Sequence, residues 1–160
     1  MTEQLTDAER ARLGHLPRAV DCSRVRLHRR ERSGPLGLAR RLVLGLSGGR
    51  AVALGNHIFL PEHAGSDPAV IAHELTHCGQ YQAWGSWRYF ARGAAAQVRE
   101  LLHRRFGIGV SPYAYKPDTG RPFEAYGMEQ QGQIVEDAFR GIPEALAISP
   151  FRPGQDAPSA

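Results

Sequence analysis

The stretch Ile71-Ala72-His73-Glu74-Leu75-Thr76-His77-Cys78-Gly79-Gln80 sets two histidines four residues apart, with a glutamate directly after the first. On a helix, at 100° per residue, His73 and His77 lie about 40° apart and one turn above each other, so both imidazoles can reach one ion. Glu74 falls on the flank of that face. Ile71, Leu75 and Cys78 form an apolar stripe on the opposite side, so the helix can pack its back on a core and turn its histidines to a cleft. This is the His-Glu-x-x-His pattern of zinc sites, in which two histidines ligate and the glutamate takes the proton of the activated water. Burying two imidazoles and a carboxylate without partners is costly, and a cation removes that cost.

The flanking residues give the helix its ends. Asp67-Pro68 supplies an N-cap and a proline suited to the first turn, and Gly85 stops the helix after Trp84. Before it, two apolar runs around Gly55-Asn56 predict a β-hairpin over residues 51–61. Val25 and Leu27 alternate with Arg24, Arg26 and His28, which predicts a half-buried strand. Thr6 and Glu9 form a capping box for a short helix ending near Leu13, while residues 34–49 fit no single pattern. Downstream, a helix is predicted from Trp87 to Arg105. A connection rich in Gly, Pro and Tyr spans 107–120, and a last long helix is expected from Pro122 to Arg140, with a short helical piece after Pro143. The expected class is α+β: a small antiparallel or mixed sheet packed on the His-Glu-x-x-His helix and a C-terminal ligand helix. One domain is expected over 1–148, with a disordered tail over 149–160.

An open zinc site needs a third protein ligand. The pattern with a third histidine would place it at position 83, which is Ala83, and its glycine at position 80, which is Gln80. That class is excluded, and the alternative is a glutamate from a later helix. With Glu129 as zero, Tyr126, Gln133, Glu136 and Arg140 all lie within about 60° of it on one polar stripe. Glu129 is the first choice, with Glu136 and Glu124 as alternatives. Gly132 permits close approach to the histidine helix.

Composition narrows the class of protein. The 160 residues are 42% hydrophobic and 22% charged, the values of one globular domain with its own core. No cationic-then-apolar leader and no apolar run near 18 residues is visible, so a membrane role is not expected and the chain reads as cytoplasmic, with signal-independent export open. Cys22 and Cys78 read as reduced thiols, Cys78 in the core. The arginines from Arg24 to Arg32 lack aromatic neighbours that could stack bases, so they read as a solvated face rather than a nucleic-acid surface. Trp84, Trp87, Tyr89 and Phe90 either pack in the core or line a substrate wall. Tyr113, Tyr115, Tyr126, His57 and His103 are candidate donors to an oxyanion, and Tyr126 is carried forward as the catalytic candidate beside Glu74. An extended peptide substrate would pair with the edge of the sheet at His57–Leu60.

Residues Ala72–His77, the neighbourhood of Gln80 to Gln82, Tyr113, Tyr115 and the stretch Gly120–Val135 together resemble the short bacterial proteins labelled Vgr-related. More loosely, they are similar to the metallopeptidase-like core domain found in loci of contractile injection systems. The likeness covers roughly residues 20–140. It implies a minimal, gluzincin-like zincin fold with Zn2+ on His73, His77 and Glu129, and Glu74 as the catalytic residue. It also implies a peptide or protein substrate and a link to a secretion system. One departure stands out: the position four after Glu129, often acidic in such helices, is Gln133, and an acid there commonly orients a ligand histidine. The expected function is therefore peptide hydrolysis by a zinc-activated water with Glu74 as general base. The rival is a catalytically silent, zinc-stapled accessory or carrier module of a type VI-like secretion system.

Overall fold

The Asp67 side chain accepts the Ala69 N–H at 2.9 Å, and Pro68 occupies the first turn behind it, so α3 begins where its caps dictate and runs Pro68–Trp84. Gly85, at φ 77°, ends it. Ile71, Leu75 and Cys78 are fully packed along its back. The computed structural model describes residues 3–14, 20–29 and 34–151. Among them α3 is joined by α1 (Asp7–Leu13), α2 (Gly34–Leu46), α4 (Ser86–Phe106), α5 (Met128–Phe139) and α6 (Pro143–Ile148). Three strands, β1 (Arg26–His28), β2 (Val52–Leu54) and β3 (His57–Phe59), form one mixed sheet, so the class is α+β as the sequence implied.

The sheet order is β1-β3-β2, with β1 parallel and β2 antiparallel to β3. Gly55 takes φ 66° in the turn between β2 and β3, which only glycine adopts without strain, and a Cβ there would also press 3.2 Å from the Tyr81 ring. The core lies between the sheet and α3, built on Leu27, Ile58, Leu60, Ile71, Leu75 and Val135. The capping box of Thr6 and Glu9 is formed as the sequence indicates.

Several expectations need correction. α5 starts at Met128 rather than Pro122, because Tyr126 is extended at ψ 151° and the Gln130 side chain accepts the Gly127 N–H at 2.9 Å. A short 3-10 turn, Phe123–Ala125, fills the gap. His28, expected to face solvent, is buried: its ring stacks on Phe59 at 4.4 Å, and Arg40 of α2 donates to its carbonyl at 3.2 Å. β3 is the central strand, hydrogen-bonded on both sides, so His57–Leu60 offers no free edge. The packed chain also continues past 148, since Phe151 is buried against Phe139. Residues 152–160 of the expected tail lie outside the described residues.

Arg24 is exposed, as the sequence implied, whereas other early arginines are tied into the fold. Arg26 donates to the Ser23 and Val25 carbonyls, Arg29 pairs with Glu9 at 2.7 Å, and Arg40 donates to the Leu60 carbonyl at 2.6 Å. Arg30 and Arg32 fall outside the described residues. Among those described, no helix is long and apolar enough to cross a membrane.

Candidate metal centre

The face of α3 opposite its core stripe meets α5, and there His73, His77 and Glu129 converge. All three are buried, and one donor atom from each lies within 4.8 Å of the other two. His73 Nε2 and His77 Nε2 are 3.2 Å apart, and His77 Nε2 is 3.4 Å from Glu129 Oε2. Two donors on one tetrahedral ion with bonds of about 2.0–2.1 Å sit about 3.3 Å apart, so the spacing suits a shared ion.

The hydrogen bonds behind each ring set which nitrogen faces inward. His73 Nδ1 meets Glu136 Oε2 at 3.0 Å, and His77 Nδ1 meets Gln80 Oε1 at 2.8 Å. Gln80 is itself fixed, because its amide nitrogen donates to the Met128 carbonyl and to Gln131 Oε1, both at 3.1 Å. Gln131 in turn donates to the Tyr126 carbonyl at 2.8 Å. Both Nδ1 atoms therefore act as donors to oxygen, which leaves each Nε2 lone pair aimed at the other. Two lone pairs and a carboxylate at this range need a positive charge between them.

A proton or a cation can supply it. Burial alone lowers the His77 pKa, but the Glu129 carboxylate outweighs that and carries it up to about 9. Burial likewise pushes Glu129 up, and the imidazolium of His77 brings it down to about 2. A single proton on His77 must divide itself between His73 and Glu129, whereas a divalent ion accepts all three donors at once. The donor set of two nitrogens and one carboxylate oxygen fits such an ion.

Glu74 lies beside this cluster. It is buried, its Oε2 has no hydrogen-bond partner, and burial raises its pKa above the ordinary carboxylate range; the two histidines and the Ala53 N–H pull it partly back. An orphaned buried carboxylate oxygen beside three converging ligand atoms is a group waiting on a positive or proton-bearing partner. β2, the outer strand, borders it: the Ala53 carbonyl accepts the Tyr89 hydroxyl at 2.7 Å.

The structure separates the other sequence candidates. Glu136 stands behind His73 as its hydrogen-bond partner, and Arg140 holds Glu136 at 2.9 Å while reaching Asp67 at 3.2 Å. The acid missing at Gln133 is thus supplied one turn later, and Gln133 bonds Asp137 instead. Glu124 sits on the opposite side of the Gln131 relay, in the turn before α5. Tyr126 does not face the cluster: its hydroxyl accepts the Asp118 N–H at 3.0 Å and lies near the Lys116 and Asp118 carbonyls. Tyr113 takes the nearer position, its ring 6.4 Å from that of His73 and its hydroxyl helping to hold Glu129 down. Tyr115 is bonded to Asp137, His57 to His28, and His103 to the Gly109 carbonyl. Gln80 was the residue that sequence reasoning missed; its position three after His77, on the same face, was the signal available.

Fold and site together define a small α+β protein with an internal cluster of two histidines and a glutamate, flanked by a second glutamate. The family model described as the eCIS core domain matches residues 5–85, just over half of the chain, and the chain belongs to that family. That places it with the core domains of extracellular contractile injection systems. The match contains α1, the sheet, and α3 with His73, Glu74 and His77, and ends before α5. Searches of curated proteins and of solved structures return no match.

Proposed function

We propose that this chain is a zinc metallopeptidase module that works with a contractile injection system and hydrolyses peptide bonds. The observation that carries the reading is the 3.2 Å approach of two inward-turned Nε2 atoms beside Glu129, with the unpartnered oxygen of Glu74 alongside. Zinc held by His73, His77 and Glu129 would acidify a water and polarise a carbonyl. Glu74, with its pKa raised by burial, is suited to take the proton and hand it to the leaving amine. Tyr113 lines the cavity onto which His73, Glu74, His77 and Glu129 open, and is the tyrosine best placed to donate to a developing oxyanion. Glu136 and Gln80 keep the two rings in the tautomer that ligation needs. The likeness to Vgr-related proteins belongs to this proposal as well.

The test is elemental analysis beside peptide turnover for wild type and Glu74→Gln. One zinc per chain in both, with turnover in wild type alone, is the expected result. Absence of metal from purified wild type would end the proposal.

A second reading draws on one observation: α3 and α5, the helices that carry the ligands, are also the most closely packed pair, so zinc there would staple the fold without chemistry. Zinc that raises Tm while wild type cleaves no peptide would favour it.

A further inference from the structure

His73, Glu74, His77 and Glu129 share the wall of a cavity of about 470 Å³ with residues of other elements and loops. α2 contributes Val43 and Leu46 to it, β2 contributes Val52 and Leu54, α4 contributes Phe90, and Met128 of α5 is also in its wall. The lining is mostly apolar, yet one guanidinium stands on it. Arg50 lies with its charge 5.3 Å from the centre of the Tyr113 ring, and its only described side-chain hydrogen bond is to the Ser47 carbonyl at 3.4 Å. Among the described residues no carboxylate pairs with it.

Large apolar side chains are exposed in the wall of the cavity and one turn before Phe90 on α4. Leu46 is 91% exposed on α2, and Trp87 is 83% exposed on α4. Of the 21 residues of α4 only Tyr89 and Ala96 are buried. Exposed large apolar side chains at an apolar cleft mark a contact site. α4 is basic along its length, with Arg88, Arg92, Arg99, Arg104 and Arg105 against the single acid Glu100. Arg92 and Arg99 border a second cavity, however, so among the described residues Arg50 is the one arginine in the wall of this cleft, which it shares with the Glu74 and Glu129 carboxylates of the metal cluster.

We infer that the cleft takes a polypeptide segment with a bulky apolar side chain next to an acidic residue, the apolar group entering the cavity and the carboxylate pairing with Arg50. This rests on the peptide-hydrolysing reading and names its substrate class. A flat anionic membrane could cover the arginines of α4 but could not place a group in a cavity that reaches His73 and Glu74. A second copy docked through α4 would set arginines against arginines. A chain that is both apolar and acidic satisfies depth and charge together, and an arginine meets a carboxylate with two parallel bonds.

The test reads binding rather than turnover. Zinc-loaded Glu74→Gln is titrated with fluorescein-labelled octapeptides that differ at two central positions, Leu or Gly and Glu or Lys. The peptide with Leu and Glu is expected to bind about tenfold tighter than the one with Gly and Glu, the scale of burying one large aliphatic side chain. It should also bind better than the peptide with Leu and Lys, and Arg50→Glu should reverse that charge preference without changing zinc content. Equal binding of all four peptides overturns the inference, as does a charge preference that survives Arg50→Glu. So does binding confined to anionic phosphatidylserine vesicles, seen as a tryptophan fluorescence shift in a Trp84→Phe background that leaves Trp87 as the one reporter. Selective binding together with failure of wild type to cleave the same peptides would sink the peptidase reading and leave the binding site standing.

Discussion

Gly132 of α5 lies directly against His73 of α3: a Cβ at position 132 would come 2.8 Å from His73 Nε2 and 3.0 Å from two ring carbons. The contact is with the very nitrogen that turns inward, so even one methyl group must displace it. We expect Gly132→Ala to fold, because helix propensity favours alanine, and to lose zinc affinity by on the order of 10–100-fold, the scale seen when ligand orientation is disturbed. Competition with a chromogenic chelator measures it, with circular dichroism confirming the helices. Wild-type affinity in this variant would show that the ring does not need its place.

Glu129 and Glu136 are both on α5 and both near the histidines, but they differ in role. Glu129 faces His77 Nε2 and Glu136 faces His73 Nδ1. Glu129→Ala should therefore abolish stoichiometric zinc. Glu136→Gln, which keeps an oxygen for the Nδ1 proton, should only weaken binding, within the roughly 10–100-fold range for partners that orient a ligand. Metal retained without Glu129 but lost without Glu136 would reverse the assignment.

That division was only half legible in the sequence. The spacing of His73 and His77 placed both on one helix face, and the stripe from Tyr126 to Arg140 marked α5, because helical periodicity is local information. It could not say which acid of the stripe would meet which nitrogen, since that depends on how α5 crosses α3. Gly132 is part of what sets that crossing. Tyr126 fell on the right stripe by angle, yet the chain leaves the helix before Met128, so the helical wheel did not apply to it. α2 was unreadable because its exposed leucines at 38, 42 and 46 break the usual rule that an apolar stripe faces the core.

Proton and metal compete for one site, and the sign follows from the shifts. His77 rises from 6.5 to about 9, so in the metal-free protein its extra stability is complete below pH 6.5 and is lost as pH climbs through 9. Glu129 falls from 4.5 to about 2, so its contribution is complete above pH 4.5 and is lost as pH falls through 2. At neutral pH zinc must expel the His77 proton before it can bind that nitrogen. Apparent zinc affinity should rise by about tenfold per pH unit between about pH 6.5 and 8, and titration calorimetry in buffers of different ionisation enthalpy should report about one proton released per ion. Affinity that stays flat over this range would mean that His77 is not a ligand.

Tyr113 and Tyr126 give the sharpest contrast between a site residue and a scaffold residue. The Tyr126 hydroxyl is buried and anchors the loop at Lys116 and Asp118, with Arg121 stacked over its ring at 4.3 Å. Removing it in Tyr126→Phe leaves the Asp118 N–H without that acceptor, which should cost about 1–2 kcal/mol of stability and leave zinc content and kcat unchanged. The Tyr113 hydroxyl acts on Glu129 and faces the cavity. Tyr113→Phe should keep its fold and still take up one zinc, bound more weakly for want of the hydroxyl on Glu129, yet lower kcat by on the order of 100-fold if it donates to the oxyanion. Parallel denaturation and turnover assays on the two variants separate these roles, and a Tyr126→Phe protein that is stable but inactive would return the catalytic position to Tyr126.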